Sequence, residues 1–87
     1  MSRRYGPNRH SRIAVSLQGG VPTGFEWQGK NYRIADVVTT WVEVAPWWIA
    51  SAFEKHVWRV QARRSGHVGT YELTSLADQW FITRVLD

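Results

Sequence analysis

Four arginines, Arg3, Arg4, Arg9 and Arg12, fall within the first dozen residues, MSRRYGPNRHSR, with no acidic side chain among them. Guanidinium groups clustered on a loosely held arm contact phosphates by charge and can order on contact. A second basic set, Lys55, Arg59, Arg63 and Arg64, lies near and along a single stretch. Arg59 and Arg63 share a face with Gln61 if that stretch is a strand, at about 6.8 Å per two residues. Such spacing resembles that of successive phosphates on one nucleic-acid strand. Both sets also have an ordinary reading, the first as a solvated terminus and the second as a solvent-facing strand.

The third candidate is aromatic. Pro46 is followed by Trp47 and Trp48, and adjacent side chains in a strand point to opposite faces. The two indoles therefore do not fill one pocket. One is buried, and the other is a stacking platform for a base, an anchor for a protein partner, or a lid on the core. The rigid proline favours Trp47 as the buried ring and Trp48 as the outward one.

Enzymatic chemistry has little to stand on. His10, His56 and His67 lack metal-ligand spacing. The seven carboxylates are dispersed, and no nucleophile–base pair can be assembled from their positions. Gly19–Gly20 marks a turn, since no phosphate-loop pattern follows it. The chain is thus expected to be non-catalytic, with no cofactor and no bound metal.

These residues need a scaffold, and 87 residues provide one small domain. A chain of this size buries only about 60–65% of the surface it exposes when unfolded. With no cysteine there is neither a disulfide nor a thiolate metal site. Six tryptophans, three tyrosines and three phenylalanines must supply much of the core. The net charge of +4 is confined to residues 1–12, because the remainder holds seven basic and seven acidic side chains. No apolar run suggests a membrane span or a leader, so a cytoplasmic protein is expected.

The apolar pattern is that of strands. RIAVSL (12–17) alternates Ile13, Val15 and Leu17 against polar neighbours. FEWQGKNYRI (25–34) is a hairpin, with Phe25 and Trp27 on one face and Tyr32 and Ile34 returning on it. In ADVVTTWVEV (35–44) Val38, Val42 and Val44 follow Ile34, whereas Val37 and Trp41 fall opposite. Either a bulge shifts the register there or both faces are covered. WWIASAFEKH (47–56) is the one place for a short helical turn. HVWRVQARR (56–64) turns His56, Trp58, Val60 and Ala62 inward, TYELTSL (70–76) adds Tyr71 and Leu73, and QWFITRVL (79–86) adds Trp80, Ile82 and Leu86. The expected architecture is all-β: a flexible basic arm over 1–11, then one β domain over 12–87. That domain is a small, strongly curved antiparallel sheet or partly open barrel of five or six strands. A flat sheet with one helix across it is the alternative.

Taken together, FxWxGxxYxI (Phe25, Trp27, Gly29, Tyr32, Ile34), Trp41, PWW (46–48), WRV (58–60), YEL (71–73) and WxIxRVLD (80–87) resemble a family of short, uncharacterised, Trp-rich actinobacterial domains. Those domains are similar to the C-terminal segment of the mutagenesis-cassette protein related to Y-family DNA polymerases. The likeness spans about residues 20–87 and omits the arm. Ala45 stands where the pattern has glycine, and SLADQ before Trp80 also lacks one. The resemblance implies an accessory role beside DNA repair or translesion synthesis and assigns no catalytic residue.

Two functions follow as expectations. The first is a binding module for nucleic acid, DNA above RNA, or for a DNA-repair complex. Arg3, Arg4, Arg9, Arg12, Lys55, Arg59, Arg63 and Arg64 would contact phosphates, and Trp48 would stack or dock. The second is a protein–protein module that docks through the Pro46–Trp47–Trp48 corner and touches no nucleic acid.

Overall fold

The computed structural model describes residues 3–4, 11–44, 54–76 and 78–86. Among them are seven strands: β1 (Arg3–Arg4), β2 (Arg12–Gln18), β3 (Val21–Trp27), β4 (Lys30–Val44), β5 (Glu54–Arg64), β6 (His67–Leu76) and β7 (Gln79–Leu86). Every pairing is antiparallel, in the order β1-β7-β2-β3-β4-β5-β6, with β7 also paired to β6. Strands β2 to β7 therefore close into a six-stranded barrel. The expected curved, all-β architecture is what forms, and the flat sheet with a helix is not.

Local sequence explains the turns. Gly19–Gly20, Gln28–Gly29 and Ser65–Gly66 each join two strands with both residues at positive φ. That geometry matches the right-handed twist of a hairpin. Because these turns take two residues, β3 begins at Val21 and β6 at His67, earlier than the turn-forming composition of VPTG and SGHVG suggests.

Bulges explain the curvature. Register shifts occur at Ser16/Leu17, Ile34/Asp36, Val37/Thr39 and Glu72/Leu73. Each extra residue bends its strand and increases its twist, which helps a short sheet curl on itself. They also decide the ambiguity of β4. Ile34 and Val37 both pack on the core despite their odd spacing, while Val38 and Val42 are about half exposed. The bulge alternative is the correct one.

Three strand assignments change for related reasons. Leu17, expected inward, is 51% exposed because the shift at Ser16/Leu17 breaks the alternation. Val85, not Leu86, continues the inward face of Trp80 and Ile82, since the shift at Glu72/Leu73 leaves Thr83 as the extra residue. Residues 54–56 belong to β5 and pair with 42–44, so no helical turn includes them. Residues 47–53 lie outside the described set.

The core fills the barrel. Ile13, Phe25, Trp27, Val60, Ala62, Leu73 and Ile82 form the buried cluster, and Trp58, Tyr32, Tyr71 and Trp80 pack against it. Phe25 and Tyr32 stack at 4.7 Å, and Tyr71 meets both edge-on. Such pairs add to the stabilisation from area burial alone.

The backbone of Arg3–Arg4 pairs with Val85 and Arg84, on the same edge of β7 that takes Arg12 and Ile13 farther along. Between them, Ser11 is fully buried and its carbonyl accepts from the Ile82 amide at 2.8 Å. Residues 5–10 and the side chains of Arg3 and Arg4 lie outside the described set, and Arg9 with them.

A candidate binding groove on the outer face

Strands β5, β6 and β7 each carry a second, outward row of side chains. On β5 these are Val57, Arg59, Gln61 and Arg63, alternating with the core residues Val60 and Ala62. The register places Arg59 opposite Glu72, and Glu72 opposite Arg84. Arg4 lies opposite Arg84 along the backbone. One row thus crosses four adjacent strands. A neighbouring row runs Trp41, Val57, Thr74, Phe81 and Arg12.

This outer face is not simply wet. Val57, Glu72, Thr74 and Phe81 are all buried, forming a floor between longer chains. A cavity of about 310 Å³ opens above it, lined by Trp41, Lys55, Arg59, Glu72, Arg84 and neighbours.

The polar groups hold one another in place. Arg59 donates from Nε and Nη2 to the same Glu72 carboxylate oxygen, at 3.1 and 2.7 Å. Arg84 Nη1 approaches that oxygen at 3.7 Å. One nearly buried carboxylate is therefore shared by two guanidinium groups. The other side of the Arg59 guanidinium lies 5.6 Å from the centre of the Trp41 ring, within cation–π range. Trp41 is oriented in turn by its Nε1–H, which donates to Glu43 at 2.8 Å. Glu43 also meets Lys55 at 3.8 Å. Beneath them, Thr83 donates to the Glu72 carbonyl, so its contact with Thr74 at 2.9 Å is a bond donated by Thr74.

The sequence candidates separate on this frame. Lys55 and Arg59 line the groove, whereas Arg12 is not in its lining and lies on β2, opposite Phe81. Arg63 shares the outward row of Arg59 but lies four residues farther along β5, opposite Arg33 and Val68. Arg64 does not share their face. It pairs with His67 and lines the open end of the barrel. Trp47 and Trp48 lie outside the described residues. Glu72 and Arg84 were not singled out by sequence, because their significance comes from contacts 13 and 12 residues away along the chain.

His56 belongs to the inner side. Its ring stacks on Trp58 at 4.4 Å, and its Nε2 lies 2.7 Å from Thr40 Oγ1. Thr40 gives its own hydrogen to the Val57 carbonyl, so His56 Nε2 is the donor to Thr40. Among the described residues, no group of three or more His, Cys, Asp or Glu side chains is placed to hold a metal. No helix among them is long and apolar enough to cross a membrane.

The sequence model of a family described as "Domain of unknown function (DUF6504)" matches residues 7–87. No curated protein matches, and no solved structure matches.

Proposed function

The chain belongs to this family of domains of unknown function, and from the groove we propose that it is a non-catalytic module that binds single-stranded nucleic acid. The observation that supports this reading is the charge of the outer face. In the groove lining Lys55, Arg59 and Arg84 stand against Glu43 and Glu72, three cations to two carboxylates, beside a half-buried indole. A positive groove with an aromatic wall suits a phosphate backbone carrying flat bases.

Its dimensions fit the same ligand. From Trp41 on β4 to Arg84 on β7 the lining spans three strand spacings, about 14 Å along the sheet, comparable with a few nucleotides on a small β-barrel. Glu72 sets a division of labour. Arg59 is committed to it and acts as a flat surface over Trp41, whereas Lys55, and Arg12 beyond the lining, are the proposed phosphate contacts. Arg3 and Arg4, whose backbone pairs with β7, would extend the positive path, and Arg9 would add to its charge. On the resemblance drawn from the Trp-rich motifs, DNA is the proposed polymer and a repair or translesion complex the proposed setting, with the cytoplasm as the proposed compartment.

Fluorescence anisotropy with a labelled 12-nucleotide single strand tests the proposal. Affinity should fall with salt, the logarithmic slope being about −0.7 per phosphate neutralised. Arg12→Glu should weaken binding without lowering the melting temperature. Binding that is absent at low salt, or unchanged by Arg12→Glu, would overturn the reading. Capture of a protein partner that resists salt and fails in Trp48→Ala would point instead to docking at Pro46–Trp47–Trp48.

A further inference from the structure

The groove uses outward positions, but the barrel also opens at the end where β5 turns into β6. There a cavity of about 480 Å³ is lined by Tyr32, Arg64, His67, Gly69, Tyr71 and Val85, among others. Tyr32 on β4 and Tyr71 on β6 pack against the core and line this end, 5.5 Å apart and edge to face. The mouths of small β-barrels are recurrent ligand sites, with apolar walls and a few fixed polar groups.

Two features make this mouth a shaped one. Gly69 permits the Tyr71 ring to lie against the β6 backbone. A Cβ at position 69 would fall 2.8 Å from the Tyr71 hydroxyl and 3.0 Å from two ring carbons. Ala62, also small, stands opposite Gly69 in the register. The other feature is the rim. Arg64 and His67 face one another across the Ser65–Gly66 turn, and neither makes a hydrogen bond or ion pair among the described residues. Among the described residues no carboxylate lines the cavity. Arg59, by contrast, spends its guanidinium on Glu72.

Aromatic walls below two nitrogen-donor side chains that have no partner among the described residues suit a flat ring that carries an anion. We propose that the barrel mouth binds a nucleoside monophosphate, with its base against Tyr32 and Tyr71 and its phosphate on Arg64 and His67. The guanidinium fork offers paired donors to phosphate oxygens. The same chemistry is offered by a free nucleotide and by the 5′-phosphorylated end of a single strand. This site is separate from the outer groove and does not depend on it.

Titration of the full chain with thymidine 5′-monophosphate, followed by ¹⁵N–¹H spectra, tests the assignment. Shifts should concentrate on the amides of His67–Tyr71 and Val85. Thymidine without phosphate should bind on the order of tenfold more weakly, as should the nucleotide to Arg64→Gln, the loss of one charge-assisted interaction. Arg64→Gln should melt like the parent, and Gly69→Ala, which pushes Tyr71 into the mouth, should lose binding as well. A 12-mer with a 5′-phosphate that shifts these amides more than its 5′-hydroxyl counterpart identifies the strand end as the ligand. Equal shifts from the two 12-mers, with binding of the free nucleotide, identify the nucleotide itself. Absence of shifts at millimolar nucleotide, shifts confined to the outer face, or equal affinity of Arg64→Gln would overturn the proposal. Because Arg12→Glu leaves the mouth intact, its nucleotide shifts should persist even where groove binding fails.

Discussion

The two faces of β5, β6 and β7 both bury side chains, by different means. On the inner face Val60, Leu73 and Ile82 are fully buried and make no polar demand. On the outer face Glu72 is 8% exposed and Thr74 3%, and both rest on hydrogen bonds and opposite charge. Apolar burial is non-directional and forgiving of small shifts. Burying a carboxylate is unfavourable unless it is paired, so it depends on geometry held by three strands at once. The inner face supports the barrel, and the outer face can present charge only because the barrel is already closed.

The largest expected effect is on the inner side. Leu73→Ala should lower stability by about 2–5 kcal/mol, and Trp27→Ala by about 3–5. Both are read from chemical denaturation. A Leu73→Ala protein that denatures like the parent would mean that the inner and outer faces of β6 are reversed.

Next in size is the shared carboxylate. Glu72→Gln keeps the shape but leaves Arg59 and Arg84 side by side without a counter-charge. The expected loss is about 2 kcal/mol, the scale of hydrogen bonds to charged groups. The sharper experiment replaces Arg59, Glu72 and Arg84 together by apolar residues, since removing every charge of a buried triad is often neutral for stability. A triple variant as unstable as Glu72→Gln would show that packing of these chains, rather than their pairing, matters on this face.

A smaller effect is expected at Trp41. Trp41→Ala removes the ring over Arg59 and the bond to Glu43. Loss of the cation–π contact at this partly exposed site should lower stability by about 0.5–1 kcal/mol. Binding of a single strand should fall more than this, because stacking contributes about 1–3 kcal/mol per base. The smallest effect belongs to Lys55→Ala. Its partner Glu43 is half exposed, so the pair should contribute under about 1 kcal/mol and vanish in high salt. A salt-resistant loss at Lys55 would move this pair into the class of Glu72.

Sequence reading was strongest where one strand had one regular period. The β3–β4 hairpin, with Phe25, Trp27 and Tyr32 inward, and the alternation of Trp58, Val60 and Ala62 form as their spacing implies. It failed at Leu17 and at the exchange of Leu86 for Val85. A bulge leaves no residue signature of its own at those points, only a broken alternation. The candidate site was half legible. Lys55 and Arg59 could be named from their charge, but not that Arg59 is held by Glu72, whereas the turning of Arg64 away from Arg63 follows from the strand's period of two.

The sequence by itself determined the all-β class, the three tight turns and the aromatic core, because each rests on contacts between near neighbours or on a period of two. Closure of the barrel, the register shifts and the pairing of Arg59 with Glu72 and Arg84 were decided only in three dimensions. These depend on which strands become adjacent, and that follows from the summed twist and bulges of six strands. A charged residue in the sequence is the same letter whether water or a neighbouring strand satisfies it. Only the fold says which.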